Sequence, residues 1–533
     1  MGLHDIIVKM MGTLLAVSSW KSVSAEKGLD AFLQTFEAVT PGMTGYDELK
    51  KIWITSNEAN VAAFVQPTSV EELKGMILKL REYDIRPMIQ CGGHSFSSYA
   101  TQKENGVTID TSRLLGPKIE VDTENLTATI SGCVLQQEVH DVVGATGNAF
   151  IGGHHGDVGY AGYILGGGQG FRGRIEGLAI DKVLEFRIVT AEGEELVVTP
   201  TNDHADLFWA MQGAGGGNFG VVVETKIEIF PHEGKEVWGT LQFPYASRDD
   251  ASLYFQNYVN HHNTLDEKLN FRMADNAFKG GGDILYADFA YFGANKTIAE
   301  QVMLDFMKTK MGVDVSTVNI LTSEEFDSLH MQTPFDGGET WTLDGGRTAG
   351  SAYMTKVSLE TSRWIIDHFL SDSHPCKGTR HWAFTACGAA IKEVPKTATA
   401  FWGREAEVEM EFFVGYDNTI EGMDQHCKNF INEVIEQMQS DSETTYLGSY
   451  YNHVADGYDD YAVRFWGDNL KRLQGIKTKY DPDIFWQWQY SIPIEEEGTD
   501  DDDDDDDDSG KSLTALDPRI FGFVLTLILA SFY

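Results

Sequence analysis

Hydrophobic and polar residues alternate at two different periods along the chain, and each period predicts a different element. Val70 and the apolar residues that follow it at steps of three and four predict a helix over about 69–83, which the capping-box pattern Thr68-Ser69-Val70-Glu71 would start. Residues 61–65 before this helix and 87–90 after it are short apolar runs typical of strands. The chain therefore begins with a strand, a helix, a strand and then the Gly92-Gly93 turn.

Alternation with a period of two continues beyond that turn. Residues 183–198 alternate on both sides of Ala191-Glu192-Gly193-Glu194 and predict a hairpin, and residues 221–229 predict another strand. Pro231 is expected to close this first domain. Between residues 236 and 445, strand-like runs such as 284–292 are mixed with helices such as 298–311. We interpret this region as a second domain, and the sequence contains no internal repeat period.

The length and composition indicate a globular protein with two or three hydrophobic cores. Of its 533 residues, 42% are hydrophobic and 11% are aromatic. Asp and Glu number 81 against 41 Lys and Arg, so the formal net charge is -40. Because such a field repels phosphate backbones, we do not expect nucleic acid as a partner.

The cysteines exclude a metal framework of the zinc type. The chain has five of them, Cys91, Cys133, Cys376, Cys387 and Cys427, and they show neither a CxxC pattern nor a Cys/His zinc spacing. At most two disulfides can form. Cys376 and Cys387 are near enough in sequence to pair in an oxidising compartment, although the sequence leaves this pairing open.

Both ends of the chain have the composition of targeting signals. Residues 1–25 contain the weakly basic Lys9, an apolar stretch at 10–17 and small residues at Val23-Ser24-Ala25, which favours a signal peptide; an amphipathic helix is the alternative. At the other end, residues 511–533 combine a polar spacer with an apolar tail at 520–533. This order matches a GPI-attachment signal, since a membrane-spanning helix needs about 20 apolar residues; a frayed hydrophobic terminus is the alternative.

An acidic segment precedes the C-terminal tail. Residues 496–510 include nine consecutive Asp at 500–508, which repel one another and predict a solvated spacer, with weak Ca²⁺ binding as the alternative. Two glycosylation sequons, at Asn125 and Asn295, fit a secreted chain. We therefore expect a secreted or cell-surface protein that meets the membrane through a lipid anchor.

Three glycine clusters carry the main chemical signal. They are Gly92-Gly93-His94, residues 159–170 and residues 213–220. Glycine lets the backbone approach a ligand closely and turn its N–H groups towards phosphate oxygens, so three such loops predict one large anionic ligand. None of the loops has the Walker or Rossmann spacing.

The segments around these clusters resemble the berberine-bridge-enzyme-like FAD oxidases of the vanillyl-alcohol-oxidase superfamily. The similar stretches are residues 86–95, 158–170 with 177–181, 206–210 with 220–222, and the terminal motifs Tyr450-Tyr451-Asn452, Trp466-Gly467-Asp468-Asn469, Arg472-Leu473, Lys477 and residues 480–493. The resemblance covers roughly residues 45–495. It implies an α+β fold in which a PCMH-type FAD-binding domain is built from two sequence pieces and an α/β substrate domain with an antiparallel sheet is inserted between them.

On this resemblance the expected domains are a signal peptide at 1–25, the first FAD-domain piece at 26–235 with its core at about 57–232, the substrate domain at 236–445 and the completing C-terminal segment at 446–495. The acidic spacer at 496–510 and the GPI signal at 511–533 follow. The resemblance also implies FAD bound covalently through the 8α-methyl group to His94. In many relatives a cysteine of the second loop makes another bond to the flavin, and His155 stands at that position here, so a single covalent link is expected.

The residues that the resemblance places around the cofactor form a larger set. They are Gly92, Gly93, His94, Ser95, Phe96, Ser97, His155, Val158, Gly159, Gly162, Tyr163, Gly166, Gly167, Gly168, Gly170, Asn218, Gly220, Val221, Asn452 and Asn469. The pair His154-His155 could also be read as metal ligands. Because neighbouring positions seldom point the same way, no metal site is predicted.

The catalytic base is the position at which this chain departs from its relatives. Many of them have a tyrosine directly after the Asn of the terminal motif, and His453 occupies that position here. A histidine with an ordinary pKa of about 6.5 suits proton removal near neutral pH, but it could equally serve a structural role. Tyr450 and Tyr451 are the competing candidates.

The expected activity is a two-electron oxidation of an alcohol or sugar, in which a base removes the hydroxyl proton and hydride passes to flavin N5. The expected partners are a small-molecule or oligosaccharide substrate and molecular oxygen, which would be reduced to H₂O₂. Two alternatives remain open: a flavin dehydrogenase with a different electron acceptor, and a non-catalytic surface protein whose acidic tail binds calcium or mineral. Fold alone does not decide among them.

Overall fold

A computed structural model describes residues 27–54, 58–96, 103–116, 118–275, 283–330, 346–370, 376, 380–453 and 458–494. All of these residues belong to one compact unit that ends at Ile494. The expected signal peptide, Ser97, the acidic spacer and the expected GPI signal lie outside the described residues, so these remain predictions from the sequence.

Strands and helices are mixed along the described chain. In chain order the strands are β1 (Ala63–Val65), β2 (Met88–Gln90), β3 (Val107–Asp110), β4 (Lys118–Asp122), β5 (Thr127–Ser131), β6 (Asn148–Ala149), β7 (Val183–Val189), β8 (Glu195–Val198), β9 (Val221–Glu228), β10 (Phe230–Pro231), β11 (Glu236–Pro244), β12 (Leu269–Ala274), β13 (Ile284–Phe292), β14 (Asn319–Phe326), β15 (Gly346–Lys356), β16 (Arg380–Ala386), β17 (Val408–Tyr416) and β18 (Thr445–Gly448). The helices are α1 (Tyr46–Lys50), α2 (Val70–Glu82), α3 (Gln136–Gly144), α4 (Tyr160–Leu165), α5 (Gly173–Glu176), α6 (Ala205–Met211), α7 (Arg248–His261), α8 (Lys296–Phe306), α9 (Leu359–Leu370), α10 (Ala390–Glu393), α11 (Met423–Ser440), α12 (Tyr461–Trp466) and α13 (Leu470–Tyr480).

The N-terminal part forms a three-stranded and a five-stranded sheet, with α2 packed against both, and a short two-stranded sheet of β6 and β10. The first sheet is parallel with the strand order β1-β3-β2, and the second is antiparallel with the order β4-β5-β9-β7-β8, which includes the predicted hairpin of β7 and β8. The buried face of α2, including Leu73 and Ile77, packs in one core with Val189 and Val223 of the antiparallel sheet.

The cap of α2 lies one residue later than the sequence pattern predicted. Ser69 is the N-cap, and its hydroxyl accepts a hydrogen bond from the backbone N–H of Glu72. The Glu72 carboxylate in turn accepts hydrogen bonds from the backbone N–H and the hydroxyl of Thr68. Glu71, the acidic residue of the predicted box, is instead exposed, because a helix that starts at Val70 places Glu72 at the third position.

The region after residue 235 is built on one large antiparallel sheet. Its strand order is β14-β11-β13-β12-β16-β17-β15-β18. Helices α7, α9 and α11 contact strands on one face of this sheet, where Phe412 and Ile431 share the main core. Side chains of a strand alternate between the two faces, so Glu411 and Phe413 of β17 point away from Phe412 and line a cavity on the opposite face. The mixed α+β fold with an antiparallel sheet is confirmed.

The C-terminal segment returns to the N-terminal sheets. Trp486 shares the core of α2, and the buried ammonium group of Lys477 in α13 donates hydrogen bonds to the carbonyl oxygens of Asn218 and Trp486 and to the Asp481 carboxylate. The side chains of Lys477 and Asp481 are both fully buried. This ion pair therefore fastens the end of the described chain to the third glycine cluster.

The disulfides differ from the pairing that sequence proximity suggested. Cys376 pairs with Cys427, and Cys91 pairs with Cys133, while the buried Cys387 forms no disulfide. Cys387 directly follows β16, a strand inside the large sheet. Cys427 lies on α11, which packs beside α9. The disulfide partner of Cys376 is therefore determined by three-dimensional packing and not by its short sequence distance to Cys387.

In the part of the chain that the structure describes, none of the helices combines the length and the apolar character that a bilayer crossing requires.

Candidate active site

One cavity of about 300 Å³ lies between the glycine clusters and the large antiparallel sheet. The glycine clusters contribute one wall, with Gly92, Gly93, His94, Ser95, Phe96, His155, Val158, Gly159, Gly162, Tyr163, Gly216, Gly217, Gly220 and Val221. The sheet contributes the other wall, with Arg272, Tyr286, Arg347, His381, Ala383, Glu411, Phe413 and Gly415, and the C-terminal segment adds Tyr450, Tyr451, Asn452, His453 and Trp488. Three regions that are far apart in sequence thus meet at a single cavity.

The first and second glycine clusters touch each other through their backbones. A Cβ atom on Gly92 would lie 2.6 Å from the backbone nitrogen of Gly159, and one on Gly159 would lie 2.7 Å from Cys91 Sγ. Real Cβ atoms do not approach this closely, so both positions require glycine. The Cys91–Cys133 disulfide, adjacent to Gly92, links this contact to the end of β5.

His94 is buried in the cavity wall beside a carboxylate. Its Nε2 atom lies 3.2 Å from Oδ1 of Asp157, and its ring stacks on Trp53 at a centroid distance of 4.7 Å. The adjacent His94 imidazole lowers the pKa of Asp157 to about 2, so this carboxylate stays ionised at neutral pH. The contact holds the imidazole in one orientation, because a carboxylate selects which ring nitrogen carries the proton.

His155 lies close to His94, with the ring centroids 5.9 Å apart. Burial, followed by the charges of His94 and Arg272, lowers its pKa to about 4. His155 is therefore a neutral imidazole on the cavity wall. Its neighbour His154 makes an edge contact with Phe171, and no group of three or more potential metal ligands occurs among the described residues.

The glycines of the second cluster divide into two groups. A Cβ atom on Gly162 would meet nothing within 4 Å, so this glycine faces open space in the cavity. Gly166, Gly167, Gly168 and Gly170 are predicted cofactor contacts, yet they do not line the cavity. Their missing side chains make room for protein atoms: a Cβ on Gly166 would lie 2.1 Å from Asn452 Oδ1, and one on Gly170 would lie 1.9 Å from the carbonyl oxygen of Gly152.

Asn218 and Asn469, also predicted to contact the cofactor, lie outside the cavity wall as well. The buried Asn218 amide donates to the Ala214 carbonyl and accepts a hydrogen bond from the backbone N–H of Ile492. Asn469 donates to the carbonyl oxygens of Lys396, Thr399 and Ala400. Both side chains tie loops to each other, a role that their position in a motif did not reveal.

The cavity wall fits a flavin dinucleotide. Gly162 faces open space, and Gly216, Gly217 and Gly220 extend the same glycine-lined surface, which leaves the backbone accessible to a large planar or anionic group. His94, His155 and Tyr163 add aromatic surface to that wall. Ser95 and Phe96 continue the wall from His94, whereas the predicted contact Ser97 lies outside the described residues.

His453 is the catalytic candidate that the structure pairs with carboxylates. Its Nδ1 atom lies 2.7 Å from Glu409 Oε1 and 3.6 Å from Glu411 Oε2. Burial alone would lower the pKa of His453, but the charges of Glu409 and Glu411 outweigh this effect and raise it above the usual 6.5. Phe96 stacks on the His453 ring at 4.9 Å, which connects it through Trp53 to His94.

Tyr450 and Tyr451 hold loops in place and stay neutral. The Tyr450 hydroxyl accepts hydrogen bonds from the backbone N–H of Gly168 and from the Asn452 amide, and the Tyr451 hydroxyl donates to the Gly216 carbonyl. Burial raises the pKa of both phenols well above the usual 10, and the charge of Glu409 adds to this for Tyr450. Neither phenol is suited to accept a proton near neutral pH.

Sequence reasoning missed the acidic residues behind His453. Glu409 and Glu411 alternate with hydrophobic residues along β17, and Glu407 directly precedes the strand; such alternation normally marks a solvent-exposed face. Here the sheet face is covered, so Glu409 is fully buried and Glu411 pairs with Arg272. The sequence does contain a signal for these residues, because Glu409 and Glu411 alternate with hydrophobic residues in a segment that favours a strand.

Two regions of the chain match family models. Residues 61–199 match the model described as FAD binding domain, and residues 429–493 match the model described as Berberine and berberine like. The matched regions contain His94, the second glycine cluster and His453.

Relatives cover most of the chain at low identity. The uncharacterized FAD-linked oxidoreductase YgaK of Bacillus subtilis is 26% identical over 418 residues, which are 78% of this chain and 87% of that protein. The xylooligosaccharide oxidase of Thermothelomyces thermophilus is 24% identical over 455 residues, 81% of this chain and 88% of its own length. A solved structure of the glucooligosaccharide oxidase from Acremonium strictum, described for its 6-S-cysteinyl, 8α-N1-histidyl FAD, has a TM-score of 0.75 at 21% identity and covers 89% of this chain and 99% of that one.

The fold, the glycine-lined cavity and the matched FAD binding domain define an FAD-linked oxidoreductase. Within that class, the chain is similar to the berberine-bridge-enzyme-like FAD-linked oxidases, in its FAD binding domain at residues 61–199 and in its berberine-like region at residues 429–493. The resemblance seen in the sequence motifs is confirmed.

Proposed function

We propose that this protein oxidises a hydroxyl-bearing carbon of an oligosaccharide, with FAD attached covalently to His94, His453 as the base and molecular oxygen as the electron acceptor. The observation that carries the proposal is the carboxylate-paired imidazole of His453 on the wall of the same cavity as His94. In the overall reaction a CH–OH group becomes C=O while O₂ becomes H₂O₂, so two electrons and two protons are transferred.

The position of His94 supports a covalent link. Asp157 lies next to Nε2 of His94 and is ionised, which favours a proton on that nitrogen and leaves the other ring nitrogen with its lone pair. An imidazole held in this way is a suitable nucleophile for the 8α-carbon of a flavin. His155 is a neutral imidazole where many relatives have a cysteine, which supports a single link in this chain.

His453 is suited to remove the hydroxyl proton of the substrate. Its Nδ1 atom faces Glu409, so the imidazolium that forms on proton transfer is stabilised by an adjacent negative charge. When bound, FAD supplies the two-electron acceptor for the hydride that leaves the same carbon. Glu409 is fully buried and the His453 side chain is only 17% exposed, which limits competing proton exchange with water.

The sheet wall supplies a surface suited to sugar rings. Tyr286 and Phe413 offer aromatic faces on this wall, Trp488 adds one from the C-terminal segment, and the polar groups around the same space are Arg272, Asp275 and His381. Sites of this composition bind small polar ligands through a few placed polar groups on an apolar lining. The names of the xylooligosaccharide and glucooligosaccharide oxidases among the similar proteins favour the same substrate class.

The activity can be tested without assuming an electron acceptor. We expect anaerobic mixing with gluco-, xylo- or chito-oligosaccharides to bleach the flavin absorbance near its oxidised maximum, and aerobic mixing to release one H₂O₂ per sugar oxidised. Bleaching without peroxide release would mean that the protein passes its electrons to an acceptor other than oxygen. If no oligosaccharide bleaches the flavin while other alcohols do, the substrate class proposed here is wrong.

The covalent link has its own test. After acid precipitation and washing, the wild-type protein should remain yellow, whereas His94→Ala should release its flavin into the supernatant. The matched control is His155→Ala, which removes a cavity imidazole but should leave the colour with the protein. If flavin remains with the precipitated His94→Ala protein, the flavin is attached to a different residue.

A further inference from the structure

Arg347 lies on the sheet wall of the cavity, near the beginning of β15. The residue is only 8% exposed, and its Nη2 atom is buried without a hydrogen-bond partner among the described residues. A buried guanidinium that keeps an unsatisfied N–H group is costly, because a lost hydrogen bond to a charged group carries a larger penalty than one to a neutral group.

The other buried arginines of the described chain differ from Arg347 in their partners. Arg172 pairs with Glu236, Arg272 with Glu411 and Arg404 with Asp181, while Arg174 donates to the carbonyl oxygens of Cys387 and Leu265. For Arg347, burial lowers the pKa to about 10, and no acidic group among the described residues opposes that effect. The buried charge is therefore uncompensated within the described residues.

The strand register leaves space in front of Arg347. It pairs with Gly415 of β17, which has no side chain to cover the guanidinium, and both residues line the cavity. Nearby on the same wall, His381 is already engaged with Asp275, at 2.5 Å between Nδ1 and Oδ1. The unsatisfied positive charge at this end of the cavity therefore belongs to Arg347.

Arg347 is well separated from the reacting end of the cavity. Glu411, which contacts His453, lies four residues before Gly415 on β17, or about 13 Å at roughly 3.3 Å per residue. Since the two positions lie this far apart along the strand, we assign the group bound by Arg347 to a different sugar ring from the one whose hydroxyl faces His453.

We propose that Arg347 binds an anionic substituent, a carboxylate or a sulfate ester, on a neighbouring ring of the substrate, so that acidic oligosaccharides are the preferred substrates. This inference rests on the proposed oligosaccharide oxidation. The guanidinium presents parallel N–H groups that match the oxygens of a carboxylate or sulfate, a geometry that lysine does not offer. Binding of such a group satisfies the N–H donors that lack a partner and supplies the missing counter-charge.

The test compares substrates that differ only in charge. Neutral cellotriose, cellotriose carrying a C6 carboxylate on its rings, and 6-O-sulfated cellotriose are assayed by anaerobic flavin bleaching with the full flavoprotein and with Arg347→Met. For the wild type we expect kcat/KM to be at least about tenfold higher for one of the anionic trimers than for the neutral one. Arg347→Met should abolish this preference, lowering kcat/KM for that trimer about 10- to 100-fold, mainly through KM, because a charge-assisted hydrogen bond contributes in this range.

The same variants separate a substrate contact from a structural role. Arg347→Lys should restore only part of the preference, since it keeps the charge but loses the paired N–H donors. The control Arg248→Met removes an equal charge from an exposed ion pair with Asp367 and should leave the preference unchanged. The melting temperature of Arg347→Met should stay the same or rise; a fall of several degrees would mean that the protein itself satisfies the guanidinium and would overturn the proposal.

Direct binding distinguishes failure of this inference from failure of the proposed function. The three trimers are titrated against the flavoprotein by thermal shift, which requires no turnover. If an anionic trimer binds more tightly than the neutral one, and Arg347→Met weakens that binding about tenfold, the anion site is supported. This holds even if no trimer is oxidised, and only the proposed oxidation would then be wrong. Equal binding and equal oxidation of the charged and neutral trimers would refute the anion site and leave the oxidase proposal standing.

Discussion

His453 Nδ1 lies 2.7 Å from Oε1 of Glu409, a carboxylate whose side chain is completely buried. Burial raises the pKa of Glu409, and the charges of Glu409 and Glu411 in turn raise the pKa of His453 despite its own burial. Each of the two side chains therefore keeps its proton to a higher pH than the isolated group would. This coupling sets the pH range in which the imidazole can accept a proton.

The pH profile of the oxidation should follow His453. A base must be unprotonated, so we expect kcat/KM to fall as the pH decreases through a pKa above 6.5 and to level off above it. Glu409→Gln removes the adjacent negative charge, and the rising limb should then move to lower pH by about one unit or more, since a neighbouring charge shifts a pKa by about 1 to 3 units. The measurement is kcat/KM from pH 5 to 9 by anaerobic flavin bleaching, with flavin content determined for each variant.

Two substitutions control for this assignment. His453→Gln should lower kcat about 10²- to 10⁴-fold with normal flavin content, because that is the usual contribution of a general base. Tyr451→Phe removes only a hydroxyl that donates to the Gly216 carbonyl and should retain kcat within about tenfold. The assignment of the base is wrong if Glu409→Gln does not shift the rising limb of the pH profile of kcat/KM, or if Tyr451→Phe is as inactive as His453→Gln.

Asp157 should control the attachment of flavin to His94. Asp157→Asn keeps the size of the side chain but removes the negative charge next to Nε2 of His94, so the orientation and basicity of the imidazole are less well defined. We expect a smaller fraction of flavin to remain with the acid-precipitated protein, while total flavin binding stays similar because the glycine-lined wall is unchanged. The control Asp141→Asn alters an exposed carboxylate beside His140 and should leave that fraction at the wild-type level.

The Cys91–Cys133 disulfide should contribute to both stability and cofactor binding. It closes a loop with a sequence separation of 42 and sits at the contact between Gly92 and Gly159. Replacing both cysteines with alanine should lower the free energy of unfolding by about 2 to 4 kcal/mol and weaken flavin retention. The matched double replacement of Cys376 and Cys427, with a separation of 51, should cost a similar amount of stability without affecting flavin. Equal flavin loss in both variants would mean that the effect is global unfolding.

The elements that local patterns determine could be predicted from the sequence. The helix starting near Val70, the hairpin of β7 and β8 and the strand β13 follow from apolar spacing and turn residues, and they occur where expected apart from one or two residues at their ends. His94, Gly92 and Gly159 could also be identified, because their glycine loops are unusual in a sequence.

Tertiary packing determines what the sequence left open. Gly166 and Gly170 looked like ligand contacts, but nothing in a single sequence distinguishes a glycine that faces a cofactor from one that faces Asn452 or a backbone carbonyl. The sequence did not single out Glu409, since its burial depends on which face of β17 the rest of the protein covers. The partner of Cys376 was likewise decided by the packing of α11 beside α9.

Lys477 should be essential for the stability of the described fold. Its ammonium group is completely buried and joins Asp481 to the carbonyl oxygens of Asn218 and Trp486. Lys477→Met fills the space but leaves the Asp481 carboxylate buried without its counter-charge, so we expect a loss of about 3 to 5 kcal/mol in the free energy of unfolding, measured by urea denaturation. Lys479→Met, two residues along the same helix, breaks an exposed pair with Asp206 and should cost at most about 1 kcal/mol. If the two variants were equally stable, the buried ion pair would not be what fastens the C-terminal segment to the third glycine cluster.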